Sequence, residues 1–328
     1  MMAAVVIAII RDDGNPVAFD DLPAEETVIR HPLTGEPMEA TLPELPQVFG
    51  VMIENSSDAW PLAGLEDAFL VIEAPVEGNI PRFIAFFSEE QDVEKIGPVR
   101  SARPYYLDWN DELDAVYAHV GGSPEALGLL AEYGTIDLNE FYQGEYFYRW
   151  GARYAPHNVY TTTDDLRAAR DELAPETPVY DAWTFTDGVP SGEEKSLSID
   201  WTTATAYDVT WDYDAEANAY LRTQGGTGRF LEGSADAVAD NVVVMESDVT
   251  VVDAVGRRHI RTTGEGSALV AQNGRMIVAT WKKDARTDRL RFSDAEGNEI
   301  AMNAGTTWIE VVPSLGQVTI TDTETTGE

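Results

Sequence analysis

The chain has 328 residues, which is long enough for two ordinary domains, each with its own hydrophobic core. It contains 58 acidic residues against 22 lysines and arginines, so its formal net charge is −36 and its surface is predicted to be strongly acidic. Such a surface repels nucleic acid and disfavours an anionic membrane, whereas it suits basic partners. The sequence has no cysteine, which excludes disulfides, thiolate zinc sites, cysteine nucleophiles and anchors attached to a cysteine.

The first stretch of the chain is hydrophobic. Residues 1–10 are all apolar, but the run is shorter than the roughly 20 residues needed to cross a bilayer. No basic segment precedes it and no clear small-residue cleavage site follows it, so a complete signal peptide is not supported. We interpret it as the distal part of a membrane anchor or export signal, with a plain first strand as the alternative. Residues 11–46 are rich in Pro, Glu, Asp and Thr and predict an extended lead-in.

Residues 47–173 predict a domain of the α/β or α+β class with a mixed sheet. Apolar runs bounded by turn residues predict its strands, at 47–55, 68–74, 82–88 and 115–120. Helical spacing predicts helices at 107–113, 124–133 and 163–173. Ser123 and Pro124 fit the N-cap and the first position of the second helix.

The second half of the chain predicts a smaller all-β domain, a sandwich or a barrel, at residues 196–318. A segment rich in Pro, Gly, Asp and Glu at 174–195 predicts the linker that precedes it. Sequence alternation with period two predicts the strands, and Asn273-Gly274 is typical of a hairpin turn. Residues 319–328 are polar and acidic and predict a frayed tail. Four tryptophans fall in the alternating runs and are predicted to be core residues rather than a sugar-binding platform: Trp201, Trp211, Trp281 and Trp308.

Two arginines in a proline-bounded loop are the first candidate site residues. Arg100 and Arg103 lie between Pro98 and Pro104 in a chain with few basic residues. A guanidinium group suits bidentate binding of a phosphate or a carboxylate. The alternative is that acidic residues of the chain hold one or both arginines in internal ion pairs. The prolines favour function, because they reduce the entropy lost when a binding loop becomes ordered.

A glycine-rich turn follows the predicted strand at 115–120. Gly121, Gly122 and Ser123 connect this strand directly to the next helix. Ser123 could act as a nucleophile, but the turn is not a Gly-x-Ser-x-Gly elbow, and a serine before proline at a helix start is usually an N-cap. In either case the backbone N–H groups at a helix amino terminus could bind an anion.

Two histidines are candidates for proton transfer. His119 ends the strand before the glycine turn, and His157 lies in an irregular segment before another strand. A histidine suits general acid or base catalysis near neutral pH, while a hydrogen-bonded structural role is the alternative for each. Together with Glu54, Glu73 or Glu77 they could bind a metal, but the spacing gives no compact ligand motif. We therefore predict neither a metal nor another cofactor.

Five motifs of the first half occur in a distinctive order: Pro-Leu-Thr-Gly-Glu-Pro at 32–37, Glu-Gly at 77–78 followed by Arg-Phe at 82–83, Ile-Gly-Pro-Val-Arg-Ser-Ala-Arg-Pro at 96–104, His-Val-Gly-Gly-Ser-Pro at 119–124 and Ala-Pro-His-Asn-Val-Tyr at 155–160. Together they resemble the DUF3048 family, a bacterial family without an established activity that includes the YerB-like lipoproteins. The resemblance covers nearly the whole chain and extends to the smaller C-terminal domain of that family. It implies a two-domain protein outside the cytoplasm, usually anchored to the membrane. The chain lacks the lipobox cysteine, so the apolar run at residues 1–10 is the expected substitute anchor.

The leading hypothesis is an extracytoplasmic, envelope-associated protein that binds a phosphate- or carboxylate-bearing cell-wall or glycan ligand in an arginine and histidine cleft. The same motifs add Ser101, Asn158, Glu77 and Arg82 to the candidate ligand-binding residues. One alternative is a hydrolase or transferase that acts on such a ligand with a histidine as base. Another is an acidic scaffold that docks basic envelope proteins and has no small-molecule site. Whether the chain is an enzyme, and its oligomeric state, are left open by the sequence.

Overall fold

The computed structural model of the protein describes residues 28–174, 176–202, 204–226, 230–233 and 237–322. The anchor or signal predicted at residues 1–10 lies outside these residues, as do the first part of the lead-in and residues 323–328 of the predicted tail. No helix in the described ranges is both long and apolar enough to cross a membrane.

The described part of the chain contains helices α1 (Pro104–Asp111), α2 (Pro124–Tyr133) and α3 (Thr163–Leu173). The strands, numbered in chain order, are β1 (Ile29–Arg30), β2 (Pro37–Met38), β3 (Val48–Ile53), β4 (Leu70–Pro75), β5 (Pro81–Ser88), β6 (Val116–His119), β7 (Asp137–Asn139), β8 (Tyr148–Arg149), β9 (Val159–Tyr160), β10 (Phe185–Thr186), β11 (Lys195–Ile199), β12 (Val209–Asp214), β13 (Ala219–Gln224), β14 (Ala237–Ala239), β15 (Asn241–Glu246), β16 (Val249–Val251), β17 (Arg258–Ile260), β18 (Gly264–Gln272), β19 (Arg275–Lys283), β20 (Arg291–Ser293), β21 (Met302–Asn303), β22 (Thr307–Val312) and β23 (Val318–Asp322).

A ten-stranded mixed sheet forms the centre of the molecule, in the order β20-β19-β18-β15-β22-β4-β5-β3-β6-β7. Its first five strands come from the second half of the chain and its last five from the first half. The two sets join where β22 pairs with β4 in parallel, with Glu310 opposite Glu73. A separate five-stranded antiparallel sheet has the order β14-β13-β12-β11-β23.

The large sheet is covered on both faces. Neighbouring residues of β3 point to opposite sides, so Val51 belongs to one buried core and Met52 to the other. The first core lies between the large sheet and the five-stranded sheet, and it includes Trp211 of β12 and Leu166 of α3. The second core lies under α1 and α2 and includes Trp109. Strands buried on both faces explain the nearly continuous apolar runs of the sequence.

The fold class predicted from the sequence is confirmed. The first half has a mixed sheet with helices, and the described part of the second half is formed by strands, including the hairpin at Asn273-Gly274. Helix α2 has the predicted bounds, because the Ser123 hydroxyl accepts a hydrogen bond from Ala126 N at 3.2 Å and Gly134 ends the helix with φ +72°. The four tryptophans predicted as core residues are buried.

Two details differ from the sequence predictions. Helix α1 begins at Pro104, three residues before the predicted start, because Pro104 occupies its first turn. Residues 319–322, predicted to fray, form most of β23 and pair with β11 from Ser198 to Lys195. A strand at the edge of a sheet can be held by backbone hydrogen bonds to one neighbour without burying apolar side chains. The polar composition of this segment therefore did not indicate a strand.

The segment predicted as a linker packs closely against the protein. The Tyr180 hydroxyl donates to Pro46 O at 2.9 Å, and the Trp183 indole N–H donates to Leu290 O at 2.7 Å. Its strand β10 pairs in parallel with β21. These contacts attach residues 180–186 to both halves of the chain.

Candidate functional site

Several strands of the large sheet end at the same edge. β3, β4, β6 and β7 run in one direction, since β4 and β3 are both antiparallel to β5, and β6 and β7 continue parallel to β3. The arginine loop crosses this carboxyl edge between two strands. Arg100 N donates to Met52 O at 2.8 Å, and Val120 N donates to Arg100 O at 3.0 Å. The carboxyl ends of parallel strands are where open α/β sheets most often bind ligands.

Glu54, the residue after β3, is the centre of an ionic cluster at this edge. Its Oε2 atom lies 2.5 Å from Arg100 Nε and 2.9 Å from His157 Nδ1. Its Oε1 atom accepts a hydrogen bond from the Ser56 hydroxyl at 2.9 Å. The Glu54 side chain is only 6% exposed, whereas those of Arg100 and His157 are 23% and 22% exposed. A nearly buried carboxylate therefore holds two partly exposed basic groups side by side.

Arg103 is held by Glu77 in the turn after β4. The two side chains form a bidentate pair, with Nε to Oε1 at 2.8 Å and Nη2 to Oε2 at 2.7 Å. Burial disfavours the charged form of each, but the mutual hydrogen bonds and charges outweigh it, so the pKa of Glu77 is lowered and the pKa of Arg103 is raised. Arg103 also donates to Ala102 O at 2.8 Å. This geometry is the internal ion pair that the sequence left open as an alternative.

Arg82, at the start of β5, is the third guanidinium group of the cluster. It is buried and donates from Nη1 to Ser101 O at 2.9 Å. Within the described ranges no carboxylate forms an ion pair with it. Burial lowers the pKa of Arg82, and the nearby charges of Arg103 and Arg100 lower it further. The three arginines are therefore close enough to influence one another.

His119 lies apart from the exposed part of the cluster. Its ring is completely buried, with Nδ1 2.7 Å from Gly121 O and Nε2 2.7 Å from Asp137 Oδ1. Both ring nitrogens are engaged, so neither is free to exchange a proton with a ligand. His157 is bonded only through Nδ1 among the described residues, and its Nε2 atom is the imidazole nitrogen at this edge without a protein partner. Of the two predicted catalytic histidines, only His157 remains in the candidate site.

The glycine-rich turn does not offer the backbone donors that the sequence suggested. Gly121 N donates to Asn139 Oδ1 at 3.2 Å, and Ser123 N donates to Ala102 O at 3.2 Å. Gly122 forms a parallel bridge with Ala102. Ser123 is buried and caps α2, as described above. The turn supports the arginine loop, because Gly121 O and Ser123 N both bond Ala102 and the N–H groups of Gly121 and Ser123 are used within the protein.

Asn158 joins the histidine loop to the end of β7. Its Oδ1 atom accepts a hydrogen bond from Arg149 Nη1 at 3.1 Å, and Arg149 Nη2 donates to Glu140 Oε1 at 2.6 Å. Ser101 contributes its carbonyl oxygen to Arg82. Asn158 and Ser101 therefore position neighbouring residues of the cluster.

Exposed aromatic side chains surround this edge. Phe141 and Tyr142 follow Glu140 and are 66% and 80% exposed, and Tyr154, in the loop that carries His157, is 92% exposed. Large exposed aromatic side chains on a protein surface are typical of binding sites. They give the edge flat apolar surfaces beside its ionic groups.

Glu54 appeared in the sequence analysis only as a candidate metal ligand, and Arg149 and the exposed aromatic residues were absent from the predicted site. Glu54 carried a signal, since it is the first polar residue after the apolar run 48–53, at the end of a predicted strand. Its contact with His157, 103 residues away in sequence, depends on strand order that the sequence pattern does not specify. Arg149 lies in the two-residue strand β8 and Phe141 in the turn after β7, and neither carried a comparable signal.

The fold and the site define a protein of two halves that share one large mixed sheet, with an ionic cluster where its parallel strands end. Comparison with family models gives matches to both halves. The model of the DUF3048 N-terminal domain, described as a protein of unknown function, matches residues 33–176, and that of the DUF3048 C-terminal domain matches residues 197–309. The chain belongs to the DUF3048 family, and the resemblance drawn from its motifs is confirmed.

Two relatives extend this result over almost the whole chain. YerB of Bacillus subtilis (strain 168), a protein named provisionally as a lipoprotein, is 32% identical over 315 residues, covering 93% of this chain and 92% of YerB. The crystal structure of the YerB protein from Bacillus subtilis is similar with a TM-score of 0.81 and 30% identity. The match covers 90% of this chain and 100% of that one.

Proposed function

We propose that this protein is an extracytoplasmic, envelope-associated protein that binds an anionic glycan or cell-wall ligand at the carboxyl edge of its large sheet. The location is supported by its similarity to YerB, which is named provisionally as a lipoprotein, and by the apolar run at residues 1–10. The ligand is a sugar polymer that carries phosphate or carboxylate groups.

The observation that carries the proposal is the charge of the cluster. The cluster contains three guanidinium groups, those of Arg82, Arg100 and Arg103, but only two carboxylates pair with them, those of Glu54 and Glu77. The cluster therefore has an excess of positive charge in a chain whose net charge is −36. The Nη atoms of Arg100 have no hydrogen-bond partner among the described residues. A phosphate or carboxylate placed against them would complete a charge-assisted pair without breaking the contact with Glu54.

The exposed rings of Phe141, Tyr142 and Tyr154 favour a carbohydrate over a free inorganic anion. Flat aromatic side chains give large contact areas at a small cost in conformational entropy, and sugar rings present matching apolar faces. Isothermal titration calorimetry with a phosphate-bearing glycan, a uronate-bearing glycan and a neutral oligosaccharide of equal length tests this assignment.

The variant Arg100→Gln should weaken binding of the anionic glycans by about tenfold to a hundredfold, as expected for a lost charge-assisted hydrogen bond. Arg167→Gln is the matched control. Its side chain is 27% exposed, close to the 23% of Arg100, and it bonds Glu89 O beyond the carboxyl end of antiparallel β5, at the opposite edge of the sheet. Equal affinity in wild type, Arg100→Gln and Arg167→Gln would rule out the site, and so would equal binding of the neutral oligosaccharide.

A second candidate function is hydrolysis or group transfer on the same ligand. Glu54 orients the His157 ring through Nδ1 at 2.9 Å and leaves Nε2 without a described partner, which is the arrangement of a carboxylate-oriented general base. The same glycans are followed for turnover in wild type and in His157→Gln. Turnover that persists unchanged in the variant would remove this candidate and leave binding alone.

A further inference from the structure

A cavity lies between the two halves of the chain, next to the turn that carries Glu77. It has a volume of about 340 Å³ and is bounded by α1, by α2 and by the hairpin of β16 and β17 with the residues after it. This volume is at the lower end of the range for small-molecule sites, about 300 to 1,000 Å³. Its wall contains Arg258 and Glu125, together with the rings of Tyr105 and Tyr133 and the apolar side chain of Leu129.

The walls of the cavity are held together by hydrogen bonds between the halves. The Thr262 hydroxyl donates to Asp108 Oδ2 at 2.5 Å, which joins the segment between β17 and β18 to α1. Arg258 donates from Nη2 to Asn79 Oδ1 at 2.5 Å and from Nε to Val76 O at 3.3 Å, in the turn between β4 and β5. The cavity is therefore preformed, which lowers the entropy cost of binding.

Arg258 is the unbalanced positive charge of this cavity. Its described partners are an amide and a backbone carbonyl, both neutral, and no carboxylate of the described residues pairs with it. The two other arginines of the wall are balanced. Arg261 pairs with Asp248 at 2.7 Å and lies over the Trp281 ring, and Arg286 pairs with Asp111 and lies over the Tyr133 ring.

Glu125 is the accessible negative charge of the same cavity. It lies in the first turn of α2, where the helix dipole stabilises a carboxylate, and it is exposed without a described hydrogen-bond partner. Asp108 adds a second negative charge, but Thr262 and the surrounding protein cover its oxygens. A simple anion would be repelled by Glu125 and Asp108, and a simple cation by Arg258.

We propose that this cavity binds a small zwitterion of the amino-acid or short-peptide class. The ligand carboxylate pairs with Arg258 and the ligand ammonium group with Glu125, while the side chain of the ligand packs against Tyr105 and Leu129. The two charges of such a ligand match Arg258 and Glu125, the unpaired charges of the wall that the protein leaves uncovered, and neither group is required by the glycan site at the sheet edge. This binding activity is additional to the proposed function.

Titration followed by NMR with L-alanyl-L-alanine tests the proposal, since two modified peptides each lack one charge. N-acetyl-L-alanyl-L-alanine lacks the ammonium group, and L-alanyl-L-alanine amide lacks the carboxylate. We expect the zwitterion to bind about tenfold or more tightly than either modified peptide, because each loses one charge-assisted contact. Equal or absent binding of all three peptides in the millimolar range would overturn the proposal.

Two variants assign the contacts. Arg258→Gln should weaken binding of the zwitterion by about tenfold to a hundredfold and leave binding of the amide unchanged, because the amide has no carboxylate. Glu125→Gln should weaken binding of the zwitterion by a similar factor and leave binding of the acetylated peptide unchanged, because that peptide has no ammonium group. Arg257→Gln is the matched control, because Arg257 is on the same hairpin and pairs with Asp253 outside the cavity. Glu125 is exposed, so its variant remains informative if Arg258→Gln lowers stability. Loss of peptide binding in Arg100→Gln but not in Arg258→Gln would also refute the assignment.

Discussion

Arg222 offers the sharpest test of how the two halves are held together. It is completely buried on β13 of the small sheet and donates from Nη2 to Glu73 Oε2 at 2.6 Å and from Nη1 to Gln224 Oε1 at 2.8 Å. Its Nε atom lies 3.7 Å from Oε1 of Glu310, which is adjacent to Glu73 across the β4–β22 pair. Four aromatic rings lie within 5.9 Å of its guanidinium group: Phe83, Trp211, Phe230 and Trp308.

Replacing Arg222 with methionine keeps much of the volume but removes the cation between two buried carboxylates. Removing one partner of a buried ion pair costs about 3 to 5 kcal/mol. Here Glu310 loses its cation, and Glu73 and Gln224 lose the hydrogen bonds that Arg222 donates. That is a large part of the free energy of unfolding of a typical domain, about 5 to 15 kcal/mol. We expect Arg222→Met to lower the free energy of unfolding in urea by about 3 kcal/mol or more.

Glu73→Gln is the companion variant, and it should behave differently. Burial raises the pKa of Glu73 well above its ordinary value of 4.5, with Glu310 adding to the effect, although Arg222 opposes it. The folded protein therefore keeps a proton that the unfolded chain loses above pH 4.5, and stability falls as the pH rises from there towards the folded pKa. A glutamine has no proton to lose, so the variant should lack this part of the slope, which is at most about 1.4 kcal/mol per pH unit.

Urea unfolding of wild type, Arg222→Met and Glu73→Gln, followed by tryptophan fluorescence at a series of pH values, measures both effects. The expected result is a large loss for Arg222→Met and a stability advantage for Glu73→Gln that grows with pH above 4.5. A loss below about 1 kcal/mol for Arg222→Met would show that the ion pair is dispensable. Identical pH profiles for wild type and Glu73→Gln would show that Glu73 does not retain its proton in the folded protein.

Two further substitutions test local packing. Gly50→Ala, in the middle of β3, should destabilise the protein by about 1 to 3 kcal/mol in the same urea assay, because the new methyl group would collide with Asn110 Oδ1; an unchanged midpoint would show that Asn110 moves freely. Ser123→Ala should cost about 1 kcal/mol by removing the α2 cap, whereas Ser123→Asp should keep most of it, and equal losses in both would contradict the capping role.

Helices and hairpins were predictable from the sequence, because the residues that determine them are neighbours in the chain. The bounds of α2 follow from its N-cap residue and helical spacing, those of α3 follow from helical spacing, and the hairpin at Asn273-Gly274 follows from its turn residues. The strand at 307–312 was predicted with the other alternating strands of the second half. Its pairing with β4 could not be predicted, because a sequence pattern identifies a strand but not its neighbour.

The candidate site was predicted in part for a similar reason. The motif around Arg100 and Arg103 predicted the loop that crosses the sheet edge, but the acids that hold these arginines come from the ends of other strands. The sequence left proton transfer and a structural role open for His119; its ring lies in the core, 5.1 Å from the Tyr117 ring. Contacts between distant segments depend on strand order, which a single sequence does not determine.

The shared sheet changes how the two family segments should be regarded. β4 pairs with β5 on one side and with β22 on the other, so the segment at residues 33–176 alone would leave β4 as an open edge. Unpaired backbone groups on a buried strand are costly, and Glu73 would also lose Arg222. The second segment would lose the same contacts from β22. Each segment therefore supplies part of the hydrophobic core that buries the other. The cavity between α1 and the β16–β17 hairpin has walls from both segments, so it exists only when they are joined.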